Sequence, residues 1–230
     1  MAQGLVAMNY YEGEHEISPR LYNLLIGGVL LYGFALNAYF CYAYTDWAYR
    51  ILYGSPTAFL FGYFICVVAG TLLVVRSRNP VVSFLGYNLV VLPVGLLVSG
   101  LVASYSTYIV FEAFILTAGA TVIFIAAGSI WPDFFLSLGR VLLFSLFIIV
   151  IGELILTFFF RTTIGALDYL VAAVFCFFIG YDWAVANRRT RTIDNAIDSA
   201  CALYLDIINL FIRILAILGR GNGRGGNGRH

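Results

Sequence analysis

The chain contains no lysine; all 13 of its cations are arginine, a bias for which no physical reason offers itself. Charge of either sign is scarce, at 11% of 230 residues, and the signs nearly cancel to +1. Soluble domains carry about a quarter charged residues, so composition excludes a water-soluble enzyme. So small a net charge also gives no reason to expect nucleic acid. Cysteine is sparse too. Cys41, Cys66, Cys176 and Cys201 each fall in or beside a separate apolar run, without CxxC spacing. That argues against a disulfide framework and for free thiols packing as small hydrophobes. The first twenty residues carry Glu12, Glu14 and Glu16 and no compact apolar core. A cleavable signal peptide is therefore not expected, and targeting falls to the first transmembrane helix. No Asn-x-Ser/Thr sequon occurs, so N-glycosylation would not report topology.

What the chain has in quantity is apolar surface. Hydrophobic residues make up 62%, the mean hydropathy is +0.93, and there are 20 Phe and 16 Tyr. One core could not hide that much, whereas a bilayer acts as its solvent. Rings at both interfaces account for the aromatics. Runs long enough to cross hydrocarbon lie near residues 21–44, 57–75, 81–103, 108–127, 134–156, 164–186 and 199–218. The expected fold is an all-α membrane protein crossing six or seven times, with a seven-helix domain over 21–218. Residues 1–20 form a cytoplasmic N-terminal segment, and 219–230 a disordered Gly/Arg/Asn tail. Short connections leave no room for a soluble domain. Arg20, Arg76, Arg78, Arg188, Arg189 and Arg191 load the N-terminal side, with Arg140 just inside the fifth run. The opposite loops hold only Arg50 and Arg161. The positive-inside rule then puts the N-terminus in the cytoplasm. A full seventh crossing would place Arg220, Arg224 and Arg229 outside, against the rule; a re-entrant last segment would return them. Full crossing is preferred, because the apolar length suffices. Pro93, followed by Gly95, predicts a kink in the third run. Asn37 and Asn88 read as interhelical hydrogen-bonders.

Ionisable residues inside spans are the default functional sites of a membrane protein. Here they form two layers. Asp182 and Asp206 lie twelve residues either side of Asp194, taken as the centre of the turn joining the last two spans. That spacing puts them at equal depth on adjacent antiparallel helices. Two facing carboxylates in low dielectric cannot both ionise cheaply, so they should share a proton and titrate as a pair. A pH sensor is preferred to a mere staple between helices. Glu112, Glu153 and Arg213 form the second layer, within about five residues, roughly 7 Å, of the non-cytoplasmic face. Either a Glu–Arg pair offsets desolvation there, or two acidic side chains draw cations to a pore mouth. Composition does not choose between them. Asp206, Asn209 and Arg213 recur at three and four residues, giving the last span one polar stripe that faces protein or water.

These residues carry a family resemblance. Ala202-Leu203-Tyr204-Leu205-Asp206-Ile207-Ile208-Asn209-Leu210-Phe211 resembles the last-helix signature of the transmembrane BAX-inhibitor-motif family, the Bax inhibitor, Lifeguard and Golgi anti-apoptotic proteins. Gly180-Tyr181-Asp182 resembles its sixth-helix Tyr-Asp element, and Phe111-Glu112-Ala113-Phe114 with Thr117 its fourth helix. Arg76-x-Arg78-Asn79-Pro80 resembles its basic turn after helix two, and Arg20-Leu21-Tyr22 its approach to helix one. The resemblance implies a seven-helix fold in endoplasmic reticulum or Golgi membranes, or the bacterial plasma membrane. It implies a proton-sensitive calcium leak governed by Asp182 and Asp206, which would line the calcium pathway, with Arg76 or Arg78 as a cap. It further implies inhibition of cell death, with cell-death regulators or other membrane proteins as partners. No cofactor follows from it; calcium is the transported ion. The chain departs from the pattern where Trp183 and Ala184 follow Tyr-Asp, and where no acidic residue stands near Pro93. Glu153 has no counterpart. The missing lysine and the Gly-Arg-Asn tail suggest a divergent member, a viral one among the candidates.

Three other readings compete. An intramembrane aspartyl protease also carries Tyr-Asp on one helix and an aspartate on the next. Here, however, bulky Leu203-Tyr204-Leu205 precedes Asp206, and no Pro-Ala-Leu occurs. A seven-helix receptor would need an Asp-Arg-Tyr element, which is absent. A non-conducting regulator that acts on partners in the membrane stays open.

Overall fold

The computed structural model describes residues 15–158 and 165–225. Among them are eight helices: α1 Pro19–Ala43, α2 Thr45–Gly54, α3 Pro56–Arg76, α4 Pro80–Val102, α5 Thr107–Ile130, α6 Pro132–Phe158, α7 Gly165–Arg188 and α8 Ile193–Gly225. All but α2 are long and apolar enough to cross a membrane. The starts follow from local chemistry. Pro19, Pro56, Pro80 and Pro132 each open a helix, where the missing N–H has no intrahelical partner to lose. Ser18, Asn79 and Ser106 cap α1, α4 and α5 by accepting from the N–H groups of Leu21, Val81 and Ile109. Pro93 lies inside α4, which continues through it.

The chain divides into two compact units, residues 1–104 with 185–204 and residues 105–184 with 205–230. In the first, α3 meets α4 backbone to backbone. A Cβ on Gly70 would stand 2.6 Å from the Gly86 carbonyl oxygen, and one on Gly86 2.9 Å from that of Gly70. Small residues allow this approach, which matters where lipid supplies no hydrophobic drive between helices. Tyr87, Val90, Val91 and Val94 of α4 are fully buried. The first half of α8 is fixed by polar contacts. Ser83 Oγ donates to Asp194 at 2.6 Å, and the Tyr22 hydroxyl lies 3.2 Å from Ser199 Oγ. Asn37 and the Tyr204 hydroxyl exchange bonds of 2.9 and 3.0 Å. Asn88 accepts from the Tyr32 hydroxyl at 2.6 Å. Both asparagines thus bond between helices as their sequence positions suggest.

In the second unit a Cβ on Gly128 of α5 would lie 2.5 Å from the Gly180 carbonyl of α7. Phe124, Phe135 and Phe177 form one edge-packed cluster. Trp183 Nε1 donates to Ser129 Oγ at 2.7 Å, and the Tyr181 ring lies against Gly139 of α6. Apolar faces such as Phe144, Phe147 and Ile148 of α6 stay exposed, the ordinary condition of a helix whose solvent is lipid.

The segment between the first two spans is filled by α2. Two expectations need correction. Asp194 is not in a turn: it lies in the first turn of α8, and the connection is 189–192. The Gly-rich tail was expected to be disordered from 219, yet α8 runs unbroken to Gly225. Glycine lowers helix propensity by only about 1 kcal/mol per residue, and Arg220 is held by an ion pair described below. At 33 residues α8 is about 50 Å long along its axis. Residues 1–14, Arg161 and the last five residues lie outside the described part of the chain.

Candidate functional site

Two charged centres are built on α7 and α8, both within the second unit. At the first, the Asp182 and Asp206 carboxyls are neighbours on α7 and α8. Asp206 is buried, and its Oδ2 is buried with no hydrogen-bond partner; Asp182 is half-buried. A carboxylate has no proton to donate, so two carboxyls can hydrogen-bond to each other only when one of them is protonated. The sequence reading brought these residues together for a partly wrong reason. Asp182 lies six residues before the end of α7 and Asp206 thirteen after the start of α8, so spacing alone leaves a mismatch of about 10 Å. The four non-helical residues 189–192 can span about 13 Å when extended, which absorbs it. Tyr204, two residues before Asp206, is fully buried and locked to Asn37.

The pair is not a chelating cage. Among the described residues no group of three or more His, Cys, Asp or Glu side chains could hold a metal. Two carboxylates offer four oxygens at most, whereas calcium takes six to eight.

The second centre is fully paired. Arg213 on α8 donates from Nη1 to Glu153 Oε1 and from Nη2 to Oε2, each at 2.7 Å, in the two-pronged geometry of a strong guanidinium–carboxylate pair. Nη1 also donates to Asp168 Oδ1 at 2.7 Å. Arg220, two turns further along α8, pairs with Asp168 Oδ2. Two cations and two anions thus link α6, α7 and α8, with Asp168 buried and Arg220 exposed. Of the two alternatives the sequence left open, the Glu153–Arg213 ion pair is the one present. Glu112 does not join it: the residue is half-exposed on α5, with no ion-pair partner among the described residues. Asp168 fills that role, because Arg213 has its donors committed to α6 and α7. Sequence reasoning missed Asp168 and Arg220, although Asp168 lies inside an apolar run and Arg220 is seven residues after Arg213, on one helical face. Arg76 closes α3, and Arg78 stands in the 77–79 turn; both are exposed.

Seven apolar helices with carboxylates paired inside them define a multi-pass membrane protein. The chain belongs to the Bax inhibitor family: the family model described as "Inhibitor of apoptosis-promoting Bax1" matches residues 15–223. It is 34% identical over 182 residues to a BI1-like protein of Arabidopsis thaliana, covering 75% of this chain and 69% of that protein. It is 30% identical over 183 residues to the Golgi anti-apoptotic protein of Vaccinia virus (strain Lister), covering 77% and 75%. To Protein lifeguard 4 of Mus musculus it is 33% identical over 124 residues, covering 54% and 52%.

Proposed function

We propose that the chain is a pH-sensitive, calcium-permeable leak of intracellular membranes that modulates calcium stores and inhibits apoptosis. The observation that carries this reading is the buried Asp206 carboxyl set beside Asp182, with one of its oxygens buried and without a hydrogen bond; two such neighbours would share a proton. Such a pair holds two charge states of different internal energy in a low-dielectric site. With both groups ionised, their repulsion favours one packing of α7 and α8. Proton uptake removes that bias, so a few kcal/mol of coupling shifts the populations. Arginine on the N-terminal side supports a cytoplasmic N-terminus. The Golgi named in the viral relatives supports an internal membrane, Golgi or endoplasmic reticulum; in a bacterium it would be the plasma membrane.

A second reading keeps the fold and drops the conduction: a membrane regulator of cell death acting through protein partners. It is favoured by the relatives' names, Bax inhibitor 1 and Golgi anti-apoptotic protein, which speak of cell death and not of transport. Calcium entry into liposomes holding the purified protein, followed between about pH 5 and 8, separates the two. A leak that varies with pH supports the channel. Flux no greater than in protein-free liposomes at every pH supports the regulator.

A further inference from the structure

The helix that hydropathy does not reveal, α2, carries a site of its own. At ten residues it is about 15 Å long, too short to cross. One residue, Tyr44, separates it from the span α1, and one, Ser55, from the span α3. It is therefore confined to the membrane surface at the C-terminal end of α1. Its seat is fixed. Ala48 and Leu52 are buried against Gly100 of α4, where an added Cβ would lie 3.1 Å from each. Ser99 Oγ donates to the Phe40 carbonyl at 3.0 Å, Thr45 donates to the Cys41 carbonyl, and the Tyr53 hydroxyl lies 3.2 Å from Ser104 Oγ. The outer face is aromatic, with Trp47 52% and Tyr42 90% exposed and Tyr44, Tyr49 and Tyr53 exposed beside them.

Between the end of α1 and α2 lies a cavity of about 480 Å³ lined by Tyr42, Thr45, Asp46, Trp47 and Arg50 among others. Asp46 and Arg50 are four residues apart, the spacing at which an acid and a base on a helix usually close on each other. Here both are exposed, and among the described residues neither has an ion-pair partner. The cavity thus offers one anion, one cation and two rings, with no net charge. We propose that it binds the headgroup of a zwitterionic phospholipid, with the phosphate on Arg50 and the quaternary ammonium between Asp46 and the faces of Trp47 and Tyr42. Arginine suits a phosphate by its fork of donors, and a ring face attracts a quaternary ammonium. Neighbours at i and i+4 stand about 5–6 Å apart, close to the length of a phosphocholine zwitterion. The membrane supplies the ligand because both ends of α2 run into spans. The balanced charge selects a zwitterion over an anionic lipid.

The test is native mass spectrometry of the full chain from micelles holding equal phosphatidylcholine and phosphatidylglycerol. Wild type should retain phosphatidylcholine in about fivefold excess, the ratio that roughly 1 kcal/mol of cation–π attraction gives. Trp47→Ala and Asp46→Asn should each bring the ratio near one, while Trp47→Phe, which keeps a ring, preserves it. These side chains are exposed, so the variants should elute on size exclusion as wild type does. Equal retention by wild type, an excess of phosphatidylglycerol, or an excess that survives Trp47→Ala would overturn the assignment.

Discussion

The two charged centres of the second unit use the same helices and opposite electrostatics. At Asp182–Asp206 two like groups stand side by side, and the proposed function has them share a proton. At Glu153–Asp168–Arg213–Arg220 two anions meet two cations, and each carboxylate has a guanidinium on it. In the proposed function the first arrangement has two charge states that solution pH selects between. The second has one. A desolvated ion pair brings little net stability but is costly to break from one side, which suits a fixed tie between α6, α7 and α8. A like-charge pair is poor as a tie and good as a switch.

The largest effect should come from taking one partner out of the quartet. Arg213→Ala leaves Glu153 and Asp168 facing each other, so thermal melting in detergent should show a loss of about 3 kcal/mol, the lower end for a buried pair. Adding Glu153→Gln or Asp168→Asn to that variant should recover part of the loss. If the single changes simply add, the pairing energy is absent and the contrast fails. The aspartate pair should respond with the opposite sign. At pH 8 Asp206→Asn replaces a repulsion with a neutral donor for Asp182, and should raise stability by about 1 kcal/mol. A large destabilisation would make the pair a structural staple. Arg220→Ala should cost least, under about 1 kcal/mol, because that side chain is nearly half exposed and its pair is screened. The cost should shrink further in high salt. A loss as large as that of Arg213→Ala would show that the quartet is held from its rim.

The spans were legible in the sequence because each is one long apolar run, and a bilayer demands that length. Helix α2 was not, because ten residues of mixed polarity, Thr45–Gly54, satisfy no spanning criterion and their packing on Gly100 is tertiary. Asp182 and Asp206 were found by the cost of burying charge, and the same rule would have found Asp168 if applied to the first turn of α7. Glu112 was grouped with Arg213 by depth, but depth says nothing about which helix faces which. Arg220 was lost when glycine at 219 and 221 was read as the end of structure. There the pairing with Asp168, a long-range contact, overrides local propensity.

The most direct test of the account is the pH profile of calcium flux in liposomes carrying wild type and Asp206→Asn. Asparagine keeps the shape and fixes the charge. Flux through the variant should therefore lose most of its dependence between about pH 5 and 8, and Asp182→Asn or the double variant should behave alike, as the proposed sharing of one proton requires. If Asp206→Asn conducts with the wild-type profile, the two aspartates are not the sensor.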